Sequence, residues 1–377
     1  MTIPLSAPDI GEQDIEAVAA VLRTPHLSLG PKLEEFEFSL ANYLGVSHAI
    51  AVSSGTAGLH LCLRALEISE GDEVIVPSFT FIAVANAVRY QRATPIFVDI
   101  DLTSPNLNAD LVEEAITART KAIVAVHTFG IPAEMDRILE IARRHNLFVI
   151  EDACEAIGAE YNGQKIGTFG HAAVFGFYPN KQITTGEGGA VVTNNTALAA
   201  TVRQLRNQGR SGSNDWFQHS ELGYNYRLSD INCALGVEQL KRLDPILVRR
   251  ESIAKIYNSA LAGFAAFVLP PLELPQRRIS WFVYVLQLND RMDVQCRDWI
   301  VREMKSRGIA TGRYFAPIHL QPIYKSYPGR TVSLPVTESR ASRSLALPFF
   351  NRIRDEEIRE VADALVELIP RFTGRNP

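Results

Sequence analysis

KAIVAVHTFGIPAEMDRILEIARRHNLFVIEDACEAIGAEYNG, residues 121–163, holds the pattern that decides the fold. An apolar run, KAIVAVHTF (121–129), leads through a turn into EMDRILEIARRHN (134–146), where Met135, Ile138, Leu139, Ile141 and Ala142 form one apolar stripe at helical spacing. A second apolar run, LFVIEDA (147–153), follows at once. Both runs are continuous rather than alternating, as expected of strands covered on both faces. The same rhythm extends outward in both directions. HAIAVSS (48–54), DEVIVPSF (72–79) and ATPIFVDI (93–100) precede the unit, and AAVFGFY (172–178) and GGAVVT (188–193) follow it. The expectation is an α/β protein whose large domain is a mostly parallel sheet covered by helices.

After about residue 230 the character changes. A long helical pattern (231–263) runs into the proline-rich LPPLELPQRR (269–278). Beyond it come one strand-like run, SWFVYVLQL (280–288), and two helical stretches, RDWIVREMKSRG (297–308) and DEEIREVADALVELI (355–369). This predicts a smaller α+β domain at the C-terminus, with the large domain over 1–250 and the small one over 251–377. A chain of 377 residues, 46% hydrophobic, is above the size at which one core stops growing, so two domains are expected on length alone.

Lys plus Arg (38) nearly balances Asp plus Glu (42), and a net charge of −4 gives no broad electrostatic attraction to nucleic acid or to an anionic membrane. Small-molecule partners are expected instead. Cys62, Cys154, Cys233 and Cys296 are scattered singly, which argues against a zinc knuckle, an iron–sulfur site or a disulfide framework and fits a reducing cytoplasm, and no metal is expected. No apolar stretch approaches the roughly 20 residues of a membrane-spanning helix, and MTIPLSAPDIGEQD lacks the features of a signal peptide.

Four segments carry chemistry. In AVSSGTAGLHLCLRAL (51–66) an apolar run passes through Ser53, Ser54, Gly55 and Thr56 into a helical pattern, where helix N–H groups could hold a phosphate; plain helix capping explains the same residues. LFVIEDACEAIGAEYNG (147–163) puts Glu151, Asp152 and Glu155 where a buried strand ends, at the edge of the sheet where ligands bind in open α/β folds. A carboxylate there needs a cation, such as the protonated ring nitrogen of pyridoxal phosphate, although an acidic helix cap reads equally well. In VFGFYPNKQITTGEGGAVVTNN (174–195), Lys181 sits between an apolar run and a turn of small residues; it is either an amine set for imine formation or an ordinary surface lysine. HSELGYNYRLSDINCALG (219–236) offers Tyr224, Asn225, Tyr226 and Arg227 ahead of a Ser229–Asp230 helix start, a working polar loop or a surface turn.

Taken together, SSGTAGLHL, PSFTFIAVANAV, EDACEAIGA, FYPNKQITTGEGG and LGYNYRLSDI, in this order and spacing, resemble the DegT/StrS sugar-nucleotide aminotransferases, a branch of the fold-type I pyridoxal-phosphate enzymes. The likeness runs from GEQDIEAVAAVL (11–22) to IHLQPIY (318–324). It implies that Lys181 bonds covalently to the cofactor and Asp152 pairs with its ring nitrogen. Ser54, Gly55 and Thr56 would hold the phosphate, and Phe81 would lie against the ring. Asn225 would reach the phosphate of a neighbouring subunit, making a homodimer the minimal active unit. Glu155 stands near the cofactor, where relatives often carry glutamine or histidine, and Gly176 stands where many carry a serine. His319 would lie near the sugar nucleotide.

The resemblance further implies an amino transfer from L-glutamate to a nucleotide-linked 4-keto-6-deoxy sugar by ping-pong kinetics. It points most to the perosamine synthases, which aminate a GDP-linked 4-keto-6-deoxymannose. A UDP- or dTDP-linked keto sugar is the alternative substrate. Relatives that dehydrate the sugar typically replace the lysine with histidine, so Lys181 favours transfer. A regulatory protein that merely keeps the fold would have no need of Lys181 and Asp152.

Overall fold

The computed structural model describes residues 2–210, 218–325 and 333–373, with side chains described up to residue 370. Seven strands form the central sheet: β1 (His48–Val52), β2 (Glu73–Pro77), β3 (Thr94–Val98), β4 (Thr120–Val126), β5 (Phe148–Asp152), β6 (Ala172–Gly176) and β7 (Gly189–Thr193). Their spatial order is β1-β7-β6-β5-β4-β2-β3. Only β7 runs antiparallel to its neighbours. Each strand lies inside an expected apolar run, except that β4 begins one residue early, at Thr120. Buried residues on alternate faces belong to separate apolar clusters, with Ile75, Ile123 and Val149 on one side and Val74, Val124 and Ile150 on the other. That two-sided burial is why the runs are continuous.

Helices α1 (Glu12–Leu22), α2 (Pro31–Leu44), α3 (Gly55–Ala65), α4 (Ala83–Tyr90), α5 (Ala109–Glu114), α6 (Met135–His145) and α7 (Thr196–Arg206) accompany this sheet. The stripe read in 134–146 is realised in α6, where Met135, Ile138, Ile141 and Ala142 are buried. Asn146 ends that helix in the left-handed region at φ 52°, a conformation asparagine tolerates.

The helical pattern over 231–263 divides into α8 (Asp230–Lys241) and α9 (Leu243–Leu261). Pro245 sits in the first turn of α9, where it lacks the N–H that a continuous helix would need. Leu243, Ile246 and Leu247 of α9 pack with the large sheet, whereas Ile253, Ala254, Tyr257 and Leu261 pack in a second cluster. That cluster covers a three-stranded antiparallel sheet of β8 (Phe267–Val268), β9 (Tyr284–Leu288) and β10 (Ser344–Leu347), together with α10 (Val294–Ser306) and α12 (Asp355–Thr373), while α11 (Pro335–Arg343) leads into β10. The first residues join it too, since Ile3 is buried there and the Leu5 carbonyl accepts from the Phe349 N–H.

The strand expected over 280–288 begins only at Tyr284. Arg250 is the physical reason. Its guanidinium donates to the carbonyls of Trp281 (2.6 Å) and Phe282 (2.8 Å), taking acceptors that a ladder would have used. Arg250 is itself buried, and burial lowers its pKa to about 9.

Candidate active site

Parallel strands bring their carboxyl ends to one edge of the sheet, and four loops meet there. Ser54, Gly55 and Thr56 follow β1, Thr80 and Phe81 follow β2, Asp152 and Glu155 close β5, and Lys181 lies in the loop after β6. All of them line one cavity of about 450 Å³. Phe282, Tyr314 and Phe315 close it from the C-terminal part of the chain.

The β1 turn does two things. Ser54 caps α3, its Oγ accepting from the Ala57 N–H at 3.1 Å, so the capping reading of this serine is realised. Helix geometry still leaves the Gly55 and Thr56 N–H groups without intrahelical partners, at the positive end of the α3 dipole. Side chains are excluded from the cradle's floor. A Cβ on Gly55 would come within 2.7 Å of Cys154 Sγ, and one on Gly189 within 2.7 Å of the Gly55 nitrogen. At Gly176, too, the room is taken by Cys154, whose Cβ and Sγ lie 3.2 and 3.3 Å from an added Cβ. Burial pushes the Cys154 thiol well up, so it stays protonated and is no rival nucleophile at neutral pH.

Asp152 is buried, and its Oδ1 accepts from the Cys154 N–H at 3.1 Å. No ion pair to Asp152 occurs among the described residues. A buried carboxylate with one hydrogen bond and no cation fits a charged ring nitrogen entering from the cavity. Lys181 Nζ lies 4.0 Å from the centre of the Phe282 ring and 3.5 Å from Glu155 Oε1. Glu155 Oε2 accepts from the Phe129 N–H at 2.8 Å, and burial raises its pKa. The donor set therefore suits pyridoxal phosphate: an amine for the aldehyde, an acid for the ring nitrogen and a helix N-terminus for the phosphate.

Two expected residues stand apart. Asn225 is exposed and off this cavity's wall, its backbone bridged to Asn207. His319 is buried with both ring nitrogens engaged, Nδ1 with Ser78 Oγ at 2.6 Å and Nε2 with Glu338 at 3.2 Å, and it does not line this cavity. Other wall residues were not singled out from sequence. Phe282 and Tyr314 come from the C-terminal part, more than a hundred residues beyond Lys181. Asn180 lies on the wall beside Tyr314. Gln182, off the wall, donates to the Glu155 carbonyl at 2.7 Å and to Ser280 Oγ at 2.8 Å, tying the lysine loop to both parts of the chain. Only Asn180 and Gln182 carried a signal, as the flanks of Lys181.

A larger cleft of about 720 Å³ lies elsewhere, lined by Arg137, Arg277 and Arg343 among others. Those arginines are already paired with Asp110, Glu134 and Asp290, and the cleft holds no lysine.

Comparison with known proteins agrees with this geometry. The DegT/DnrJ/EryC1/StrS aminotransferase family matches residues 8–366. A GDP-perosamine synthase of Caulobacter vibrioides is 41% identical over 97% of this chain and 98% of its own. DesV of S. venezuelae, solved with a ketimine intermediate, is 39% identical with a TM-score of 0.87 over 94% of each chain. The PLP form of Spr1654 from Streptococcus pneumoniae is 28% identical with a TM-score of 0.92, covering 97% of this chain and 98% of that one. These likenesses bear out the expected α/β architecture of the fold-type I transferases, and by a family match that spans almost its whole length the chain belongs to the DegT/DnrJ/EryC1/StrS aminotransferases.

Proposed function

We propose that this aminotransferase, working with pyridoxal phosphate, moves an amino group from L-glutamate to a nucleotide-linked 4-keto-6-deoxy sugar, with GDP-linked 4-keto-6-deoxymannose as the favoured acceptor. The observation that carries the reading is the placement of Lys181 and of a cation-free, buried Asp152 on the wall of one cavity at the sheet's carboxyl edge. Bound there, the cofactor supplies an aldehyde and an electron-accepting ring. Lys181 would hold that aldehyde and, as a free amine, would serve as the base that moves a proton at the reacting carbon of the substrate. Asp152 keeps the ring nitrogen charged. Backbone N–H groups of Gly55 and Thr56, with Ser54 fixing their turn, bind the phosphate, and Phe81, 60% exposed at the cavity mouth, covers a ring face.

Asn225 is exposed and off the wall of its own cavity, which suits a contact with the phosphate in a second copy of the chain, and we take the active unit to be a homodimer in the cytoplasm. No helix among the described residues is long and apolar enough to cross a membrane. We divide the chain into a large domain (1–250) and a smaller one (251–377), a reading supported by the two separate apolar clusters on either side of that point. The lean to a GDP sugar rests on Glu155 within EDACEAIGA, on FYPNKQITTGEGG and on the likeness to the Caulobacter enzyme.

Incubation with nitrogen-labelled glutamate and a panel of GDP-, UDP- and dTDP-linked keto sugars tests the proposal. It predicts labelled GDP-perosamine, 2-oxoglutarate and parallel double-reciprocal lines. A deoxy sugar without the label would make the chain a dehydratase. Intersecting lines would overturn the two-stage transfer.

A further inference from the structure

We propose that Glu155 is the proton partner of Lys181, taking up a proton whenever the lysine amine is uncharged and returning it when the amine is charged. The two groups are already placed for this exchange. Lys181 Nζ lies 3.5 Å from Glu155 Oε1, and the carboxyl cannot swing away, because its other oxygen is held by the Phe129 N–H at 2.8 Å and its backbone carbonyl by Gln182 at 2.7 Å. In the exchange an N–H bond breaks and an O–H bond forms. The ammonium–carboxylate pair becomes an amine and a carboxylic acid, and the net charge of the pair stays zero.

The groups facing Glu155 decide which form holds. From the loop after β6 comes Lys181, the cation acting on it, and from the loop after β4 the Phe129 N–H, which favours the anion. From its own loop comes Asp152, whose charge raises the Glu155 pKa, and beside it the protonated thiol of Cys154. Tyr314 faces it from the C-terminal part, its phenol held neutral by burial first and by the Glu155 charge second. Burial itself is the largest influence on Glu155 and favours the neutral acid. With Lys181 charged, the pair is a contact ion pair. With the lysine charge gone, one N–H bond is left to support a buried anion beside a second anion, and the acid form wins.

For turnover, this matters through the function proposed above, on which that part of the inference rests: an amine must lose a proton before it can bond an aldehyde or accept a proton from carbon, and Glu155 supplies the acceptor without solvent. The titration itself stands without that reading and is tested on the full-length, cofactor-free chain by infrared difference spectroscopy at pH about 7, well above the ordinary glutamate pKa. Lys181→Met should gain the carbonyl stretch of one buried carboxylic acid. That band should be absent from the wild type, from Lys181→Arg, which keeps the charge, and from the Lys181→Met, Glu155→Gln double variant. Lys181→Gln, which also removes the charge, gives the same readout should the methionine variant not fold. Charge-removed variants lacking the band, or a band that survives Glu155→Gln, would overturn the inference. A wild type that binds no pyridoxal phosphate would sink the proposed function and leave this result untouched.

Discussion

Glu151 and Asp152 are neighbours at the end of β5, and both carboxylates are buried, yet the protein treats the two sides of that strand in opposite ways. On the Glu151 side every lone pair is spoken for. Its oxygens accept from the N–H groups of Gly167, Phe169 and Gly170, each at 2.8 Å, and from His127 Nε2 at 3.2 Å. His127 Nδ1 accepts from the Ala133 N–H, so Nε2 carries the hydrogen. On the Asp152 side one backbone N–H donates, and the residue lines the cavity. A saturated buried acid stabilises a fold, whereas an acid left short of donors is available to a ligand.

The comparison can be broken by substitution. The largest effect is expected at the cavity's amine: Lys181→Ala should lower transamination by about 10⁴-fold or more, read as single-turnover rates. Across β5 the effects should separate. Glu151→Gln brings a neutral amide against four donors, and its cost of about 3–5 kcal/mol should appear in urea unfolding. Asp152→Asn should leave unfolding within about 0.5 kcal/mol of wild type and lower kcat by about 10²–10³-fold. Equal stability losses in the two variants would remove the distinction between them.

Smaller effects sharpen the picture. Phe282→Leu takes away the ring above Lys181 Nζ and should weaken cofactor binding by about 0.5–2 kcal/mol, read by titration of the cofactor's absorbance. His60 tests pH dependence away from the cavity. Burial lowers its pKa to about 4, from about 6.5 in the unfolded chain, so between those values the unfolded state binds more protons. Its contribution is complete above about pH 6.5 and is lost as the pH falls towards 4. Unfolding midpoints of His60→Gln should therefore vary less than those of wild type over that interval.

Much of this was legible in the chain. Strands of the large sheet fall within the apolar runs because burial on both faces leaves a continuous signal, and Asp152, Glu155 and Lys181 stand out because they interrupt or follow such runs. What escaped depends on partners distant in sequence. Trp281 and Phe282 look like strand, but Arg250, some thirty residues earlier, takes their carbonyls. Phe282 and Tyr314 line the cavity only because the C-terminal part folds back on the lysine loop, which no local pattern records. His319 was expected near the sugar nucleotide by resemblance, and its two ring nitrogens meet Ser78 and Glu338, far from it in sequence.

The central claim is that Lys181 bonds to the cofactor. Loading the protein with pyridoxal phosphate, reducing with borohydride and sequencing the digest by mass spectrometry tests it directly. The account predicts one pyridoxyl-modified peptide, with the added mass on Lys181. An unmodified Lys181, or an adduct on another lysine in its place, would contradict it.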